Sequence, residues 1–129
     1  MSSPKLLIVD DDSGIRAQLK WGFDIYEVVT ADSRKKAIEL FEIHKPALVT
    51  LDLGLPPDAE GTSEGFAILH AILAKAPETK VIVVSASNEE INSQKAINNG
   101  AFEFYPKPID IKQLKAILEK AYIEYAHNK

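Results

Sequence analysis

The sequence has no cysteine, a single tryptophan and a single methionine among its 129 residues. The first absence excludes disulfides, thiolate nucleophiles and cysteine-ligated zinc. No stretch approaches the roughly 18 apolar residues of a membrane span, and the amino terminus carries no apolar signal segment, so a cytoplasmic protein without membrane contact is expected. Excess positive charge is missing as well. The net charge is -4 and the pI near 5.4, which argues against direct nucleic-acid binding by this chain. Repeats and low-complexity tracts are absent too. What is present is an ordinary globular composition, 46% hydrophobic and 26% charged. The length suits a single domain over 1–129 that buries about two thirds of its unfolded surface.

Two short apolar runs end in acid. Leu48-Val49-Thr50-Leu51 leads into Asp52, and Lys5-Leu6-Leu7-Ile8-Val9 leads into Asp10-Asp11-Asp12. Nearly continuous apolar or β-branched runs predict strands covered on both faces. A third such run, Lys80-Val81-Ile82-Val83-Val84, closes on Ser85, and shorter ones lie at Tyr26–Thr30 and Ala101–Tyr105. Helical spacing fills the intervals. Ser13 is a candidate N-cap for a helix carrying Ile15, Leu19 and Phe23, and Asp32 or Ser33 for one carrying Ala37, Ile38 and Phe41. Phe66, Leu69, Ile72 and Leu73 mark a third helix, stopped by Pro77. The fourth, from about Glu89 to Asn98, has only Ile91, Ala96 and Ile97 as apolar anchors and is expected to be the least firmly docked. Asp110 caps the last helix, whose inner side carries Ile111, Leu114, Ile117, Leu118, Ala121 and Tyr125.

Five β-α units with short linkers predict an α/β fold, a doubly wound five-stranded parallel sheet with helices on both faces. Strand order 2-1-3-4-5 brings the acids after Val9 and the acid at 52 to the crevice at the switch point. Converging carboxylates repel unless a proton or a cation intervenes. An oxygen-only cluster without His or Cys suits Mg²⁺. Lys107, after the fifth strand, and Ser85, at the end of the fourth, complete a set suited to phosphoryl transfer onto a carboxylate: Asp52 as nucleophile, Lys107 and Mg²⁺ against phosphoryl charge, Ser85 as donor.

Leu7-Ile8-Val9-Asp10-Asp11-Asp12, Leu51-Asp52 with Pro56 shortly after, Val84-Ser85-Ala86, and Gly100-Ala101 leading to Lys107-Pro108 together resemble the receiver domain of two-component response regulators, a flavodoxin-like (βα)5 fold. The resemblance implies that Asp52 is the phosphoacceptor and that Mg²⁺ is held by Asp11 directly, by Asp10 mostly through water, by Asp52 and by the backbone carbonyl of Gly54. It implies Ser85 as the switch hydroxyl, Lys107 as the phosphate-contacting lysine, Phe104 as the rotating aromatic and a cis Lys107-Pro108 peptide. Asp12 falls outside the metal's direct ligands. Further implications are a sensor histidine kinase as phosphoryl donor, a homodimer through the helix 4/strand 5/helix 5 surface and a longer regulator of transcription with this chain at its N-terminal part. Activity beyond accepting a phosphoryl group and slow self-dephosphorylation is not implied. Gln18-Leu19-Lys20-Trp21, Leu51 to Asp58 and Phe104 to Asp110 resemble the receiver of PEP-CTERM-box response regulators most closely.

Two features depart from the family pattern. The glycine that opens the third helix is matched by Gly65, about five residues later than usual, leaving an enlarged loop from Gly54 to Gly65. Phe104 lacks the hydroxyl that a tyrosine would bring. Gly54 and Ser87 stand where side chains tune dephosphorylation in receivers. The remaining residues take structural readings: Trp21 and Phe23 as packing, His44, His70 and His127 as solvated, Glu89-Glu90 as charge at a helix start. Two other functions fit the same acids. A phosphorylation-independent interaction module would keep the fold without the chemistry. A phosphohydrolase with an aspartyl intermediate needs a general acid two residues beyond Asp52, where Gly54 stands.

Overall fold

The computed structural model describes residues 3–58, 61–86 and 90–127. Strands β1 (Lys5–Val9), β2 (Glu27–Ala31), β3 (Leu48–Leu51), β4 (Lys80–Ser85) and β5 (Glu103–Pro106) alternate with helices α1 (Ser13–Gly22), α2 (Arg34–His44), α3 (Ser63–Lys75), α4 (Glu90–Asn98) and α5 (Ile111–His127). All strand pairs are parallel, in the order β2-β1-β3-β4-β5. That is the predicted doubly wound sheet. Among the described residues no helix is long and apolar enough to cross a membrane.

Alternation along the strands divides the core in two. Leu7, Val9, Val49, Leu51, Val81 and Val83 face α2, α3 and α4, while Leu6, Ile8, Leu48, Ile82 and Val84 face α1 and α5. Both layers are apolar, as the short continuous strands require. Thr50, second from the end of β3, is buried, and its hydroxyl has no hydrogen-bond partner in the structure.

Several local expectations are corrected. Asp12, not Ser13, caps α1: its Oδ1 accepts from the amides of Gly14 and Ile15 at 2.8 and 3.2 Å. Ser33, one of the two candidates, caps α2 and Asp110 caps α5, both as expected, through the amides of Lys36 and Gln113. Trp21 does not pack; it is 84% exposed, whereas Phe23 is fully buried. The two lie on opposite sides of α1's end, a distinction that apolar spacing blurs in so short a helix. Ile91 and Ile97 also face outward, leaving Ala96 as the one buried side chain of α4 among the described residues. The α4 helix is therefore held largely from its rim. Lys95 Nζ lies 4.5 Å from the centre of the Phe66 ring on α3, and His70 of α3 is hydrogen-bonded to Asn99 Oδ1 at 2.7 Å. His70 thus has a protein partner. After α4, Gly100 at φ +102° turns the chain back, its amide donating to Ile97. Glu89, at the expected start of this helix, lies outside the described residues, as does Ser87.

The segment after β3 is anchored at both ends. Leu53 and Leu55 are fully buried, and α3 begins at Ser63, so that Gly65 lies in its first turn. The Gly65 amide donates to the Leu53 carbonyl at 3.2 Å, and a Cβ on Gly65 would stand 2.4 Å from Leu53 Cα. Only glycine fits so close to a backbone. Between these anchors Asp58 supplies the missing cap of α3, its Oδ2 accepting from the Ser63 hydroxyl at 2.6 Å and the Ser63 amide at 3.3 Å. These bonds hold the Asp58 carboxyl below its usual pKa. The Lys107-Pro108 peptide is cis, as expected, and so is Pro56-Pro57, which was not expected.

Candidate functional site

The acids converge because β1 and β3 are neighbours in register, Val9 beside Leu51, with the Asp52 amide donating to the Val9 carbonyl at 2.9 Å. Each strand thus delivers its first residue past the sheet to one place. Carboxylate oxygens of Asp10, Asp11 and Asp52 lie within 4.8 Å of one another. Asp10 and Asp52 are buried and Asp11 is exposed, so the cluster is deep on the sheet side and open on the other.

Lys107 reaches this crevice from the end of β5. Its Nζ donates to Asp10 Oδ2 at 2.9 Å and stands 3.6 Å from Asp52 Oδ2. Burial alone would lower the lysine's pKa, but the hydrogen bond to Asp10 and the charge of Asp52 outweigh it and the net shift is upward. Lys107 is a fixed cation here. Asp52 is shifted the other way from a usual paired acid. Burial pushes its carboxyl up to about 6, Asp10 adds to the rise, and Lys107 and the Gly54 amide, 3.3 Å from Oδ1, offset only part of it. Negative charge is therefore in excess, and the donors are all oxygen. Both properties suit a small hard dication such as Mg²⁺.

Ser85 closes β4 at the same end of the sheet, buried, with its carbonyl accepting from the Lys107 amide at 2.9 Å. By strand alternation it belongs to the side of Val81 and Val83. Phe104, paired with Val83, packs partly buried against the α2, α3 and α4 core. Ser85 and Phe104 thus share a sheet face with α4. Gly54 follows Leu53 at the rim of the acid cluster. The structure gathers the carboxylates of Asp10, Asp11 and Asp52 and sets the Lys107 ammonium against Asp10 and Asp52; the Gly54 amide faces Asp52, Ser85 ends the neighbouring strand, and Phe104 lies on β5 within the core on the α4 side.

One neighbour escaped the sequence reading. Arg16, on the first turns of α1, donates from Nη1 to the Asp10 carbonyl at 2.9 Å. The available signal was a lone arginine one turn after an acidic helix cap. A second missed contact is the ion pair of Arg34 with the nearly buried Glu64, 3.3 Å apart, which ties the start of α2 to the start of α3.

Comparison with known proteins adds to this geometry. The profile of the response regulator receiver domain family matches residues 6–119. The chain is similar to the chemotaxis protein CheY of Listeria monocytogenes, 35% identical over 120 residues that make up 91% of this chain and 97% of that protein. It is similar to the transcriptional regulatory protein KdpE of Staphylococcus aureus, 34% identical over 114 residues, 87% of this chain and 47% of that protein. The chain therefore spans about half of one relative and nearly all of the other. Among solved structures, the CheY-like receiver domain protein from Methanospirillum hungatei superposes with a TM-score of 0.85 at 28% identity, covering 98% of this chain and 99% of that one.

Proposed function

Because this chain belongs to the response regulator receiver domain family, we propose that it is a switch operated by phosphorylation of Asp52. The observation that carries the reading is the Asp52 carboxylate itself, buried in a group of acids with the Lys107 ammonium 3.6 Å away. With its pKa near 6, Asp52 is mostly ionised at neutral pH and ready to act as a nucleophile. One of its oxygens attacks the phosphorus of a phosphohistidine on a sensor kinase. The O–P bond forms as the N–P bond breaks, and the imidazole nitrogen keeps the electron pair. Asp10, Asp11, Asp52 and the Gly54 carbonyl would hold Mg²⁺, which supplies positive charge against the phosphoryl oxygens. Lys107 contributes the same from its own side, released in part from the carboxylates it now bridges, and the Ser85 hydroxyl donates to a phosphoryl oxygen.

Phosphorylation replaces the single carboxylate charge at Asp52 with a phosphoryl group that carries roughly 1.5 to 2 negative charges and reaches further out of the crevice. Ser85 and Phe104 lie on the face that carries α4, and α4 has a single buried anchor among the described residues, which supports a response spreading through α4, β5 and α5 to a dimer or an output partner. Residues 1–129 serve as one receiver unit in the cytoplasm, without direct nucleic-acid contact. The phrases around Trp21, Asp52 and Lys107 favour the PEP-CTERM-box regulators as its subgroup, and with them a transcriptional output. Intact mass after incubation with acetyl phosphate and Mg²⁺ tests the core of this reading. Wild type gains one phosphoryl group and Asp52→Asn gains none. Equal labelling of the two proteins would place the acceptor elsewhere.

A further inference from the structure

We infer that Arg16 is a positioning residue for the metal-holding acids, acting through the main chain of Asp10. The inference rests on the reading of Asp10, Asp11 and Asp52 as a Mg²⁺ site. All four polar positions of Asp10 are engaged. Its amide donates to the Ala31 carbonyl at 3.0 Å, its Oδ1 accepts from the Asp12 amide at 2.9 Å, its Oδ2 accepts from Lys107 at 2.9 Å, and its carbonyl accepts from Arg16 Nη1 at 2.9 Å. The first three come from β2, from the acidic turn and from the end of β5. Arg16 alone ties the residue to the body of α1.

That tie has a structural reason. Asp10 lies just past the end of β1, where its carbonyl leaves the sheet ladder and still needs a donor. The guanidinium supplies a charge-assisted bond to it. The carbonyl belongs to the peptide that joins Asp10 to Asp11, so its direction also sets where the Asp11 chain leaves. Asp12 completes the arrangement by capping α1 while its own carbonyl accepts from the Arg16 amide at 3.0 Å. Asp10, Asp12 and the first turns of α1 thus form one hydrogen-bonded piece that carries Asp11 between them, and Arg16 holds it from the helix side.

A positioning role and a bystander role have opposite signs here, which makes them separable. A guanidinium that merely sat near the site would repel a dication, so its removal would tighten Mg²⁺ binding. A guanidinium that orients the Asp10–Asp11 peptide does the reverse. The test measures Mg²⁺ dissociation constants for the full chain and for Arg16→Met and Arg16→Lys, by competition with Mn²⁺ followed through the paramagnetic resonance signal of the free ion. Thermal unfolding without metal verifies that each variant is folded. Arg16→Met is expected to bind about 10-fold more weakly, as loss of a group that orients metal ligands does elsewhere, with Arg16→Lys intermediate. Binding by Arg16→Met as tight as wild type, or tighter, overturns the inference. Should Arg16→Met fail to fold, Arg16→Lys decides alone, because it keeps the charge: unchanged affinity overturns the positioning role and weaker binding supports it. A wild-type chain that takes up neither ion would overturn the metal reading itself, and this inference with it.

Discussion

Asp52 is held in a state that the fold does not favour. Its pKa rises from 3.8 to about 6 on folding, so between those values the folded chain binds a proton that the unfolded chain releases. Stability therefore falls as pH climbs through that window, and above about 6 the full cost of the buried charge is in place. Removing the charge reverses this. Asp52→Asn is expected to stabilise the metal-free protein at pH 7.5 by about 1 to 2 kcal/mol, solvent on the open side of the crevice screening the rest. The gain shrinks as pH drops from 6 toward 4. Urea unfolding at a series of pH values measures it, and a constant difference across the series would show that packing, not charge, separates the two proteins. Single residues were also where the sequence was read least evenly. Asp10, Asp11, Asp52 and Lys107 are legible because each follows a buried strand, and the sheet leaves them one place to go. Trp21 was not, since an aromatic on a short amphipathic helix gives no sign of which side it takes.

At the scale of elements, two junctions set how the site meets its surroundings. The first is the crossing of Gly65 with Leu53, which fixes the start of α3 against the residue after Asp52. Gly65→Ala must push a methyl into the Leu53 backbone and is expected to destabilise the chain by about 1 to 3 kcal/mol. The same displacement should slow phosphorylation at Asp52, so thermal unfolding and acetyl phosphate labelling read one event from two sides. Gly65 was legible in the sequence as the delayed opener of the third helix. The device that fills the delay was not: Asp58 caps α3 from outside, across residues whose sequence offers only loop character. The second junction is the rim of α4. A partly exposed ammonium over an aromatic face contributes about 0.5 to 1 kcal/mol, so Lys95→Ala should speed amide exchange in α4 about 2- to 5-fold and leave β4 unchanged. Equal rates in wild type and variant would mean that Ala96 and the His70–Asn99 bond suffice. The sequence showed that α4 is thinly anchored and overcounted its anchors, because apolar spacing cannot distinguish a buried isoleucine from one facing solvent.

For the molecule as a whole, the sheet order was legible because five alternating units with short linkers allow few topologies, and the acids then select the one that unites them. The division of labour between the two faces was not legible, since both sides of every inner strand are apolar. A cation bound at the acid cluster acts on the entire fold through mass action. Mg²⁺ at ten times its dissociation constant should add about 1.4 kcal/mol and raise the unfolding midpoint by about 5 °C. Asp11→Asn should lose most of that rise, and Asp52→Asn should start higher and gain less. A midpoint that ignores Mg²⁺ in the wild type would remove the cation from the account of this site.

The outward position of Trp21 gives the chain an unusual optical character. It is the sole indole, and at 84% exposed it already emits in a water-like setting when the protein is native. Denaturation hardly changes that setting, so the wavelength of its fluorescence should stay nearly still while circular dichroism reports the loss of helix. A chain that lies down on α1 would change it at once, shifting the emission to the blue. The same residue that is silent about folding is therefore a label, already built in, for whatever approaches that helix.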